Sequence, residues 1–444
     1  MSNYDVAIVG GGAAGLSAAR ALSGAGRRVC LIEARSRLGG RIHSLHLPGV
    51  ALPIELGAEF VHGETASTFS ILDAAALPVA ELPDNHWWSR GGRWQQVRDF
   101  WGEIDRVRGK ISSLRDDVSF DAFLRSRRDL TRRQRELARS FVEGYHAAHA
   151  DRISTRALGR ADSEQEEGAG GNRQFRLATG QDAIIGWLQA GIDPHRCDLR
   201  LGLAVRTVEW SRGRVRLVCD SAVTGRSETI RASKLVVTLP IGVWKAPREQ
   251  EGAVRFDPPL PSKEKAVAQL ESGHVVKIAF HFREPFWDDA KFLEARGRRG
   301  SGAPLNFVHA SDPFVQTWWT MAPFRAPLIV AWSGGHAADA LLTEGAGTRI
   351  DRALDSLSTA WGMSRKRLDD TLSGAYTHDW QTDPFSRCAY SYAGVGGTGA
   401  HQALARPVEK TLFFAGEATS ADETGTVAGA IDSGARAAKE ILRS

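Results

Sequence analysis

Three glycines near the start of the chain are spaced for contact with a phosphate group. Gly10, Gly12 and Gly15 lie in the run GGGAAG. The first allows a tight turn, the second lets backbone approach a pyrophosphate, and the third lets a helix pack closely. Glu33 follows at a distance where a carboxylate can accept hydrogen bonds from ribose hydroxyls. These residue types in this order predict a dinucleotide site.

The sequence around these residues predicts the elements that must position them. Residues 4–10 form an apolar run typical of a buried strand, 16–22 favour a helix, and 29–32 predict a second strand. Strand, glycine turn, helix, strand and acid make up a dinucleotide-binding βαβ unit. The glycines alone would also suit a turn in another kind of α/β protein.

Two further glycine-containing segments extend this site. Residues 34–41 read ARSRLGGR, where Arg35 and Arg41 could contact phosphate or ribose oxygens. A surface turn with solvated arginines is the alternative interpretation. In the segment ELGAEFVHG, backbone at Gly57 and Ala58 could pass against a flat ring.

The end of the chain repeats the same kind of signal. Residues 412–417 read LFFAGE, a strand that ends in a glycine and an acid, and 425–434 read GTVAGAIDSG, a glycine turn that opens a helix. A helix start of this kind can face a phosphate or a ring. The first and last segments therefore predict one nucleotide site, with other structure inserted between them.

Composition places the chain among globular proteins and excludes several classes. Its 444 residues are 42% hydrophobic and 25% charged, enough for two or three domain-sized units. A net charge of +5 is mild, and the basic run 125–135 is interpreted as a solvated helix face, so no nucleic-acid partner is expected. The four cysteines form no CxxC pair, so neither a metal site nor a disulfide framework is predicted. The absence of a signal peptide and of a membrane-spanning run predicts a cytoplasmic protein without a membrane partner.

The middle of the chain changes from a helical to a strand-rich pattern. The tryptophan-rich region 67–150 is predicted to be helical, and antiparallel strands are predicted from residue 273 onward. In the run HVVKIAFHF, period-two alternation places Val276 and Ile278 on one face and Lys277 on the other. Taken alone, a lysine in such a run indicates a solvent-facing side.

Nearly the whole chain resembles the flavin-dependent amine oxidase family, which includes monoamine oxidases, polyamine oxidases and lysine-specific histone demethylases. The resemblance rests on IVGGGAAGLSAA, LIEARSRLGGRIHS, ELGAEFVHG, LVVTLPIGVW, HVVKIAFHF, WQTDPFSRCAYSY, FFAGEATS and TVAGAIDSGARAA, in this order. It implies an α/β fold with an FAD-binding Rossmann-like domain of the GR2 type. An inserted α+β substrate domain with an antiparallel sheet and helices is also implied. The expected FAD domain comprises 1–75, 175–265 and 400–444, and the expected substrate domain comprises 76–174 and 266–399.

The resemblance also implies roles for individual residues. Lys277 is expected to hold a water against flavin N5, Trp380 to lie beside the flavin, and Tyr390 to form one wall of an aromatic cage around the amine. His62 is expected to face the substrate channel. The residues expected to contact FAD are Gly10, Gly12, Ala14, Gly15, Glu33, Ala34, Arg35, Gly39, Gly40, Arg41, Gly57, Ala58, Glu59, Phe60, Val205, Gly416, Glu417, Thr426, Val427 and Ala430.

Three positions depart from patterns within the family. Monoamine oxidases bind FAD covalently through a cysteine directly before the cage tyrosine; here that residue is Ala389, and Cys388 is one place away, so non-covalent FAD is predicted. Thr426 replaces the second cage aromatic, as in the histone demethylases. Phe60 stands where amino-acid oxidases carry a carboxylate-binding arginine, which disfavours an amino-acid substrate.

The resulting expectation is an amine oxidase that uses molecular oxygen. A hydride passes from the amine α-carbon to flavin N5, the imine hydrolyses, and oxygen is reduced to hydrogen peroxide. A desaturase or protoporphyrinogen-oxidase-like enzyme is the alternative, and a non-catalytic binding protein similar to Rab GDP-dissociation inhibitors is a third possibility. The amine itself and the choice between monomer and homodimer stay open.

Overall fold

The predicted βαβ unit lies at the centre of an eight-stranded sheet in the computed structural model, which describes residues 4–160, 172–298 and 304–444. Its first strand pairs in parallel with the second strand of the unit and with a strand from the middle of the chain. In spatial order, this central sheet consists of Cys197–Arg200, Val29–Ile32, Tyr4–Val9, Ser227–Val237, Arg214–Ser221, Leu203–Ser211 and Arg255–Asp257, with Leu412–Phe414 also paired to Ser227–Val237.

The two ends of the chain meet on one face of the central sheet. Helix Ala13–Gly24 packs against the last helix, Val427–Leu442, and the Ser17 hydroxyl donates a hydrogen bond to the carbonyl of Ile431 (2.8 Å). Gly434 allows this approach, because a Cβ there would lie 2.1 Å from the carbonyl oxygen of Ala14. The late glycine turn is thereby brought beside the early one, as the sequence predicts for a shared site.

A second, seven-stranded sheet lies beside the first. Its strands are antiparallel apart from one parallel pair, Phe307–Ala310 with His86–Arg90. In spatial order, they are Leu372–Thr377, Val275–Phe282, Leu328–Gly334, Thr317–Thr320, Phe307–Ala310, His86–Arg90 and Arg93–Val97. The mixed α/β architecture with an antiparallel second sheet confirms the expected fold class, and the boundaries between the domains stay a prediction.

The helical expectation for 67–150 is wrong over part of its length. Val79–Glu81, His86–Arg90 and Arg93–Val97 are strands, and the last two form a hairpin closed by Gly91 and Gly92. Both glycines have positive φ angles, +57° and +81°, which a tight hairpin turn requires. The tryptophans of this region extend the second sheet, consistent with the strand preference of aromatic residues.

The remaining elements cover the two sheets. Smaller sheets join Phe60–His62 and Val79–Glu81 to Gln174–Leu177, Ser44–Leu45 to Ile54–Glu55, and Leu270–Ser272 to Ser391–Ala393. Other helices in the described residues include Ala66–Ala74, Phe100–Arg108, Phe120–Ser126, Arg132–Tyr145, Asp182–Ala190, Ile241–Trp244, Pro261–Ala268, Ala290–Glu294, Gly335–Leu342, Ala346–Trp361, Arg365–Thr371 and Ala400–Ala405, with single 3₁₀ turns at Ile111–Ser113, Phe286–Asp288 and Glu417–Thr419. Residues 155–160 are helical as well. None of the helices in the described residues has the length and hydropathy that crossing a membrane requires.

The contact between the two terminal helices is tested by a pair of glycine substitutions. Gly434→Ala is expected to lower the free energy of unfolding by about 1–3 kcal/mol, because the new Cβ would overlap the Ala14 carbonyl. Gly24→Ala is the control, since a Cβ there meets no atom within 4 Å. It should leave stability unchanged or raise it by up to about 1 kcal/mol. Urea unfolding followed by circular dichroism measures both, and equal effects would contradict the close packing.

Candidate active site

A single cavity of about 450 Å³ collects nearly all the residues singled out from the sequence. Lys277, Trp380, Tyr390 and His62 line it together with residues from the central sheet. Of the expected cofactor contacts, those that line it are Gly10, Gly12, Ala14, Glu33, Ala34, Arg35, Gly39, Gly40, Arg41, Gly57, Ala58, Glu59, Phe60, Val205, Gly416, Glu417, Thr426, Val427 and Ala430. Their individual contacts with FAD stay predictions.

The glycine turn gives this cavity an open helix start. Gly10 has a φ of +109°, and a Cβ on Gly15 would lie 1.9 Å from the Gly10 carbonyl oxygen. Gly15 therefore allows turn and helix to pack, and it does not line the cavity itself. Gly12 precedes helix Ala13–Gly24 without a side-chain cap, so the first amide groups of that helix have no capping side chain and can serve a phosphate.

Glu33 is fixed at one end of the cavity. Its carboxylate accepts hydrogen bonds from the backbone amides of Gly11 (2.7 Å) and Arg35 (2.9 Å), and the residue is 4% exposed. The guanidinium of Arg35 bonds to Asp383 (2.6 Å) and Ser386 (2.8 Å). An acid held rigidly beside the glycine turn suits the recognition of ribose hydroxyls.

Arg41 and Glu417 form a second ion pair that links distant parts of the chain. They lie 3.0 Å apart, and Arg41 also donates to the carbonyl of Ala389 (2.7 Å). Glu417 accepts a hydrogen bond from the Ser391 hydroxyl (2.7 Å). The segment that carries Tyr390 is therefore tied to the two glycine-rich turns by charged hydrogen bonds.

Ala389 and Cys388 have different surroundings. Ala389 lines the cavity, whereas Cys388 is fully buried and is absent from its lining. Burial raises the pKa of the Cys388 thiol, so the thiolate needed for a covalent bond is disfavoured. All four cysteines are free and buried.

Taken together, these residues fit FAD. A glycine cradle without Cβ atoms, two helix starts without charged caps and an acid for the ribose lie along one cavity. The second helix start is Thr426, whose hydroxyl accepts a hydrogen bond from the Gly429 amide (2.9 Å). FAD bound here would supply a redox-active ring, and the glycine cradle and Glu33 would hold its pyrophosphate and ribose.

Lys277 is buried in a cluster of charges, so the solvent-facing interpretation of its strand is wrong. Its ammonium group lies 2.6 Å from the Glu59 carboxylate and donates to the carbonyl of Gly57 (3.0 Å). Glu59 also accepts from Arg176 (2.9 Å) and from the indole of Trp319 (2.9 Å). Burial would raise the pKa of Glu59, but Lys277 and Arg176 lower it below its ordinary value. The lysine is thus held in place by an ionised acid.

Trp380 and Tyr390 are oriented by backbone carbonyls. The Trp380 indole donates to the carbonyl of Leu56 (2.9 Å), and the Tyr390 hydroxyl donates to the carbonyl of Tyr145 (2.7 Å). Both rings line the cavity, and Tyr390 packs against Gly425, directly before Thr426. These bonds fix the two rings, as an aromatic cage requires.

The structure adds wall residues that the sequence patterns did not identify. The part of the cavity lining from 60–62, 86–146 and 307–332 is called the substrate wall below. Beside Phe60 and His62 it contains His86, Phe100, Trp101, Leu137, Ser140, Phe141, Gly144, Tyr145, His146, Phe307, His309, Thr317, Trp319 and Trp332. Tyr145 is central to it, since its hydroxyl lies 3.1 Å from Nδ1 of His62. Of the tryptophans in 87–101, Trp101 lines the cavity, whereas Trp87 and Trp94 belong to the hydrophobic core, so aromatic density does not distinguish wall from core.

Four histidines of the substrate wall are kept neutral by their surroundings. Burial lowers the pKa of His62 to about 4 and, with the charge of Arg108, that of His146 to about 3. Burial also lowers the pKa values of His86 and His309, whose rings stack and whose nitrogens lie 2.9 Å apart. Near neutral pH, these imidazoles add polarity to the wall without adding charge.

Comparisons with known proteins show the family of the chain. A sequence model of the family described as "Flavin containing amine oxidoreductase" matches residues 13–442. Polyamine oxidase 3 of Oryza sativa subsp. japonica is 28% identical over 471 residues, which cover 98% of this chain and 88% of that protein. Lysine-specific histone demethylase 1 homolog 2 of Arabidopsis thaliana is also 28% identical, and the match covers 99% of this chain and 58% of the demethylase homologue.

Solved structures show the same fold. Wild-type putrescine oxidase bound to putrescine superposes with a TM-score of 0.80 at 22% identity, and each chain is covered to 99%. Cyclohexylamine oxidase from Brevibacterium oxydans IH-35A superposes with a TM-score of 0.79 at 19% identity, again over 99% of both chains. At these identities the likeness concerns the fold alone.

The neutral wall histidines predict a pH dependence of stability. An unfolded histidine titrates near pH 6.5. Because the pKa of folded His62 is about 4, the unfolded chain binds more protons between these values, and stability is lost as pH falls from about 6.5 to 4. His62→Gln should remove the part of this pH-dependent loss that His62 causes. The stability of the variant relative to wild type should therefore rise as pH falls. Urea midpoints between pH 7 and 4.5 measure the difference.

The variant must be compared with wild type because Glu55 changes stability in the opposite direction. Burial raises the pKa of Glu55 to about 7, so its contribution to stability grows as pH falls. The exposed His195 provides the control, and His195→Gln should follow the wild-type curve. A His62→Gln curve parallel to that of wild type would contradict a neutral, buried His62.

Proposed function

The chain belongs to the family of flavin-containing amine oxidoreductases, and from this premise we propose that it is an oxidase of aromatic and alicyclic monoamines. The observation that carries the choice of substrate is the substrate wall, which is aromatic and uncharged. A substrate whose reacting amine is its single charged group suits such a wall. The activities of the relatives named above are the alternatives. The demethylase homologue is much longer than this chain.

The substrate wall lacks an acid that could receive a second ammonium group. Glu59 borders it, but its carboxylate is already engaged by Lys277, Arg176 and Trp319. In the described parts of 60–62, 86–146 and 307–332, no other carboxylate lines the cavity, and Asp422, which also lines it, is an exposed residue of the segment before Thr426. The wall histidines are weak bases with pKa values near 4 or below for His62 and His146. An unpaired ammonium buried there would cost several kcal/mol, so diamines should be poor substrates.

The redox step belongs to the cofactor. When bound, FAD would supply an acceptor for a hydride from the amine α-carbon, and molecular oxygen would take up the two electrons with two protons to leave as hydrogen peroxide. The resulting imine hydrolyses to an aldehyde and ammonia or a smaller amine. We propose that FAD is bound non-covalently, a proposal supported by the burial of Cys388 and its absence from the cavity lining.

Trp380 and Tyr390 prepare the amine for this step. Oxidation requires the neutral amine, because a protonated one lacks the lone pair that stabilises the developing cation. Two rings that exclude water lower the pKa of the amine by desolvation. The Tyr390 hydroxyl donates its hydrogen bond to the backbone carbonyl of Tyr145, so it is not available to donate to the amine lone pair.

Lys277 is proposed to act at the flavin end of the cavity, where its resemblance to the family lysine predicts that it holds a water. Its ammonium group is directed by Glu59 and by the Gly57 carbonyl, in the segment expected to pass the flavin. Glu59, predicted as a cofactor contact, is therefore proposed to act through Lys277. His62, held by Tyr145, is proposed to shape the substrate channel as a neutral group.

The substrate class is tested by amines matched in all but charge. Hexylamine and hexane-1,6-diamine have the same chain, and they differ by one terminal ammonium. We expect kcat/KM for hexylamine to exceed that for the diamine by at least about 100-fold, which corresponds to about 3 kcal/mol for an unpaired charge. Hydrogen peroxide release measures both, and 2-phenylethylamine and cyclohexylamine should be used at least as well as hexylamine.

A variant of the substrate wall provides the matching control. His62→Glu introduces a carboxylate that can pair with the second ammonium group of the diamine. It should raise kcat/KM for the diamine and so reduce the ratio of kcat/KM between hexylamine and the diamine. Equal or better use of the diamine by the wild-type enzyme would contradict the monoamine proposal and favour a polyamine oxidase. Reduction of the flavin without peroxide release would show that the acceptor is not oxygen.

Removal of the Lys277 charge tests the proposed reaction centre. Lys277→Met keeps the length of the side chain and should slow flavin reduction or reoxidation by at least about 100-fold, while the flavin absorbance of the purified protein is retained. Stopped-flow absorbance separates the two half-reactions. Lys245→Met, at a lysine outside the cavity lining, is the control and should react as wild type. Wild-type rates for Lys277→Met in both half-reactions would exclude the role.

A further inference from the structure

A group of histidines and acids lies outside the cavity, near the start of the strand that carries Lys277. It consists of His149, His274, His336 and Asp339, and is called the imidazole cluster below. None of the four lines the cavity. His274 directly precedes strand Val275–Phe282, and His336 and Asp339 belong to helix Gly335–Leu342. The proposed amine oxidation uses none of these side chains.

The donor atoms of this cluster converge. Asp339 contacts two imidazoles, with Nε2 of His149 2.7 Å from one carboxylate oxygen and Nδ1 of His274 2.6 Å from the other. His336 and Asp339 are three residues apart on their helix and therefore lie on one face. One ligand atom each of His149, His336 and Asp339 lies within 4.8 Å of the others. His336 is half exposed and bonds to exposed Asp151 (3.0 Å), so it can turn toward the pair.

The most buried of these imidazoles is held by a hydrogen bond at its other nitrogen. Nδ1 of His149 lies 3.1 Å from the hydroxyl of Tyr392, and the backbone amide of His149 donates to the same hydroxyl (3.2 Å). Metal-binding histidines are commonly oriented by such a bond on the nitrogen that does not bind the metal. Nε2 is thereby directed at Asp339.

A buried acid beside the cluster has an oxygen without a well-aligned hydrogen bond. Glu143 is 4% exposed, and no donor among the described residues reaches its Oε1 in hydrogen-bond geometry, although Ala150 and Gln316 lie near the carboxyl. Its side chain lies against the start of the helix that carries His336, because a Cβ on Gly335 would be 3.1 Å from Cγ of Glu143. A carboxylate oxygen in the interior without a well-aligned hydrogen bond is costly, and a cation nearby offsets that cost.

We propose that His149, His336 and Asp339 bind one divalent transition-metal ion of the zinc type. Two imidazole nitrogens and one carboxylate oxygen are a ligand set that suits zinc, with water in a fourth position, and imidazole ligands disfavour magnesium and calcium. His274 positions Asp339 through its second oxygen, and Tyr392 positions His149.

The ion would join the segment of His149 to helix Gly335–Leu342, and the bond of Asp339 to His274 would extend this link to the start of the strand of Lys277. Gly273, beside His274, exchanges backbone hydrogen bonds with the segment of Tyr390: its amide donates to Tyr390 (2.7 Å), and its carbonyl accepts from Ala389 (2.9 Å). A metal at the imidazole cluster would therefore stabilise the junction between helix Gly335–Leu342 and the segments that carry Lys277 and Tyr390. The site is structural, since it lies outside the cavity.

Metal titration of the FAD-loaded, full-length enzyme tests this site. After dialysis against EDTA, isothermal titration with zinc chloride should give one ion per chain with a dissociation constant in the micromolar range or below. Zinc should also raise the midpoint of thermal unfolding. Magnesium chloride should produce neither effect. Absence of zinc binding, or equal binding of magnesium, would overturn the proposal.

Variants locate the ion. His336→Ala and Asp339→Asn should weaken zinc binding at least about tenfold while the flavin spectrum and the rate with saturating amine stay unchanged. His46→Ala is the matched control, because His46 forms an exposed pair with Asp182 (2.8 Å) elsewhere on the surface. Zinc affinity that is unchanged in both cluster variants, or lowered equally by His46→Ala, would overturn the assignment.

Discussion

The buried contact between Lys277 and Glu59 is the interaction on which the site depends. Two charges removed from water must compensate each other, and here Arg176 and Trp319 complete the arrangement. The contact also joins separate parts of the fold. Glu59 directly precedes the small strand Phe60–His62, whereas Lys277 and Trp319 lie on the second sheet. The position of the lysine is therefore set by the way in which the second sheet meets the cofactor-binding elements.

The same burial that requires paired charges at Lys277 gives the substrate wall its neutrality. Where an acid faces a lysine and an arginine, their charges keep its pKa below the ordinary value despite burial, as they do for Glu59. Where imidazoles face aromatic rings, burial lowers their pKa values and removes their charge. One cavity thus contains a compensated pair of charges at Lys277 and Glu59 together with an uncharged aromatic wall. This difference in electrostatics, more than the fold, argues for monoamines.

Local sequence patterns predicted many of the residues that gather in the cavity, because the determinants of the glycine turn are local. One βαβ unit contains the glycine turn, the helix that follows it and Glu33. The backbone geometry of this unit requires glycine in the turn, and an acid at the end of the second strand suits ribose hydroxyls. Lys277 was identified through the family resemblance, since alternation alone indicated a solvent-facing side. Arg176 and Tyr145 were missed because their roles arise from contacts with residues more than 80 positions away. The hairpin at Gly91 and Gly92 was missed because its tryptophans were interpreted as part of a helical region.

A double-mutant cycle between Glu59 and Lys277 tests the central claim most directly. The rates of flavin reduction and reoxidation would be measured for Glu59→Gln, Lys277→Met and the double variant, all loaded with FAD. If Glu59 acts through the lysine, the double variant reacts no more slowly than Lys277→Met alone. If the two effects multiply, Glu59 acts on the cofactor independently of Lys277, and the account of this site is wrong.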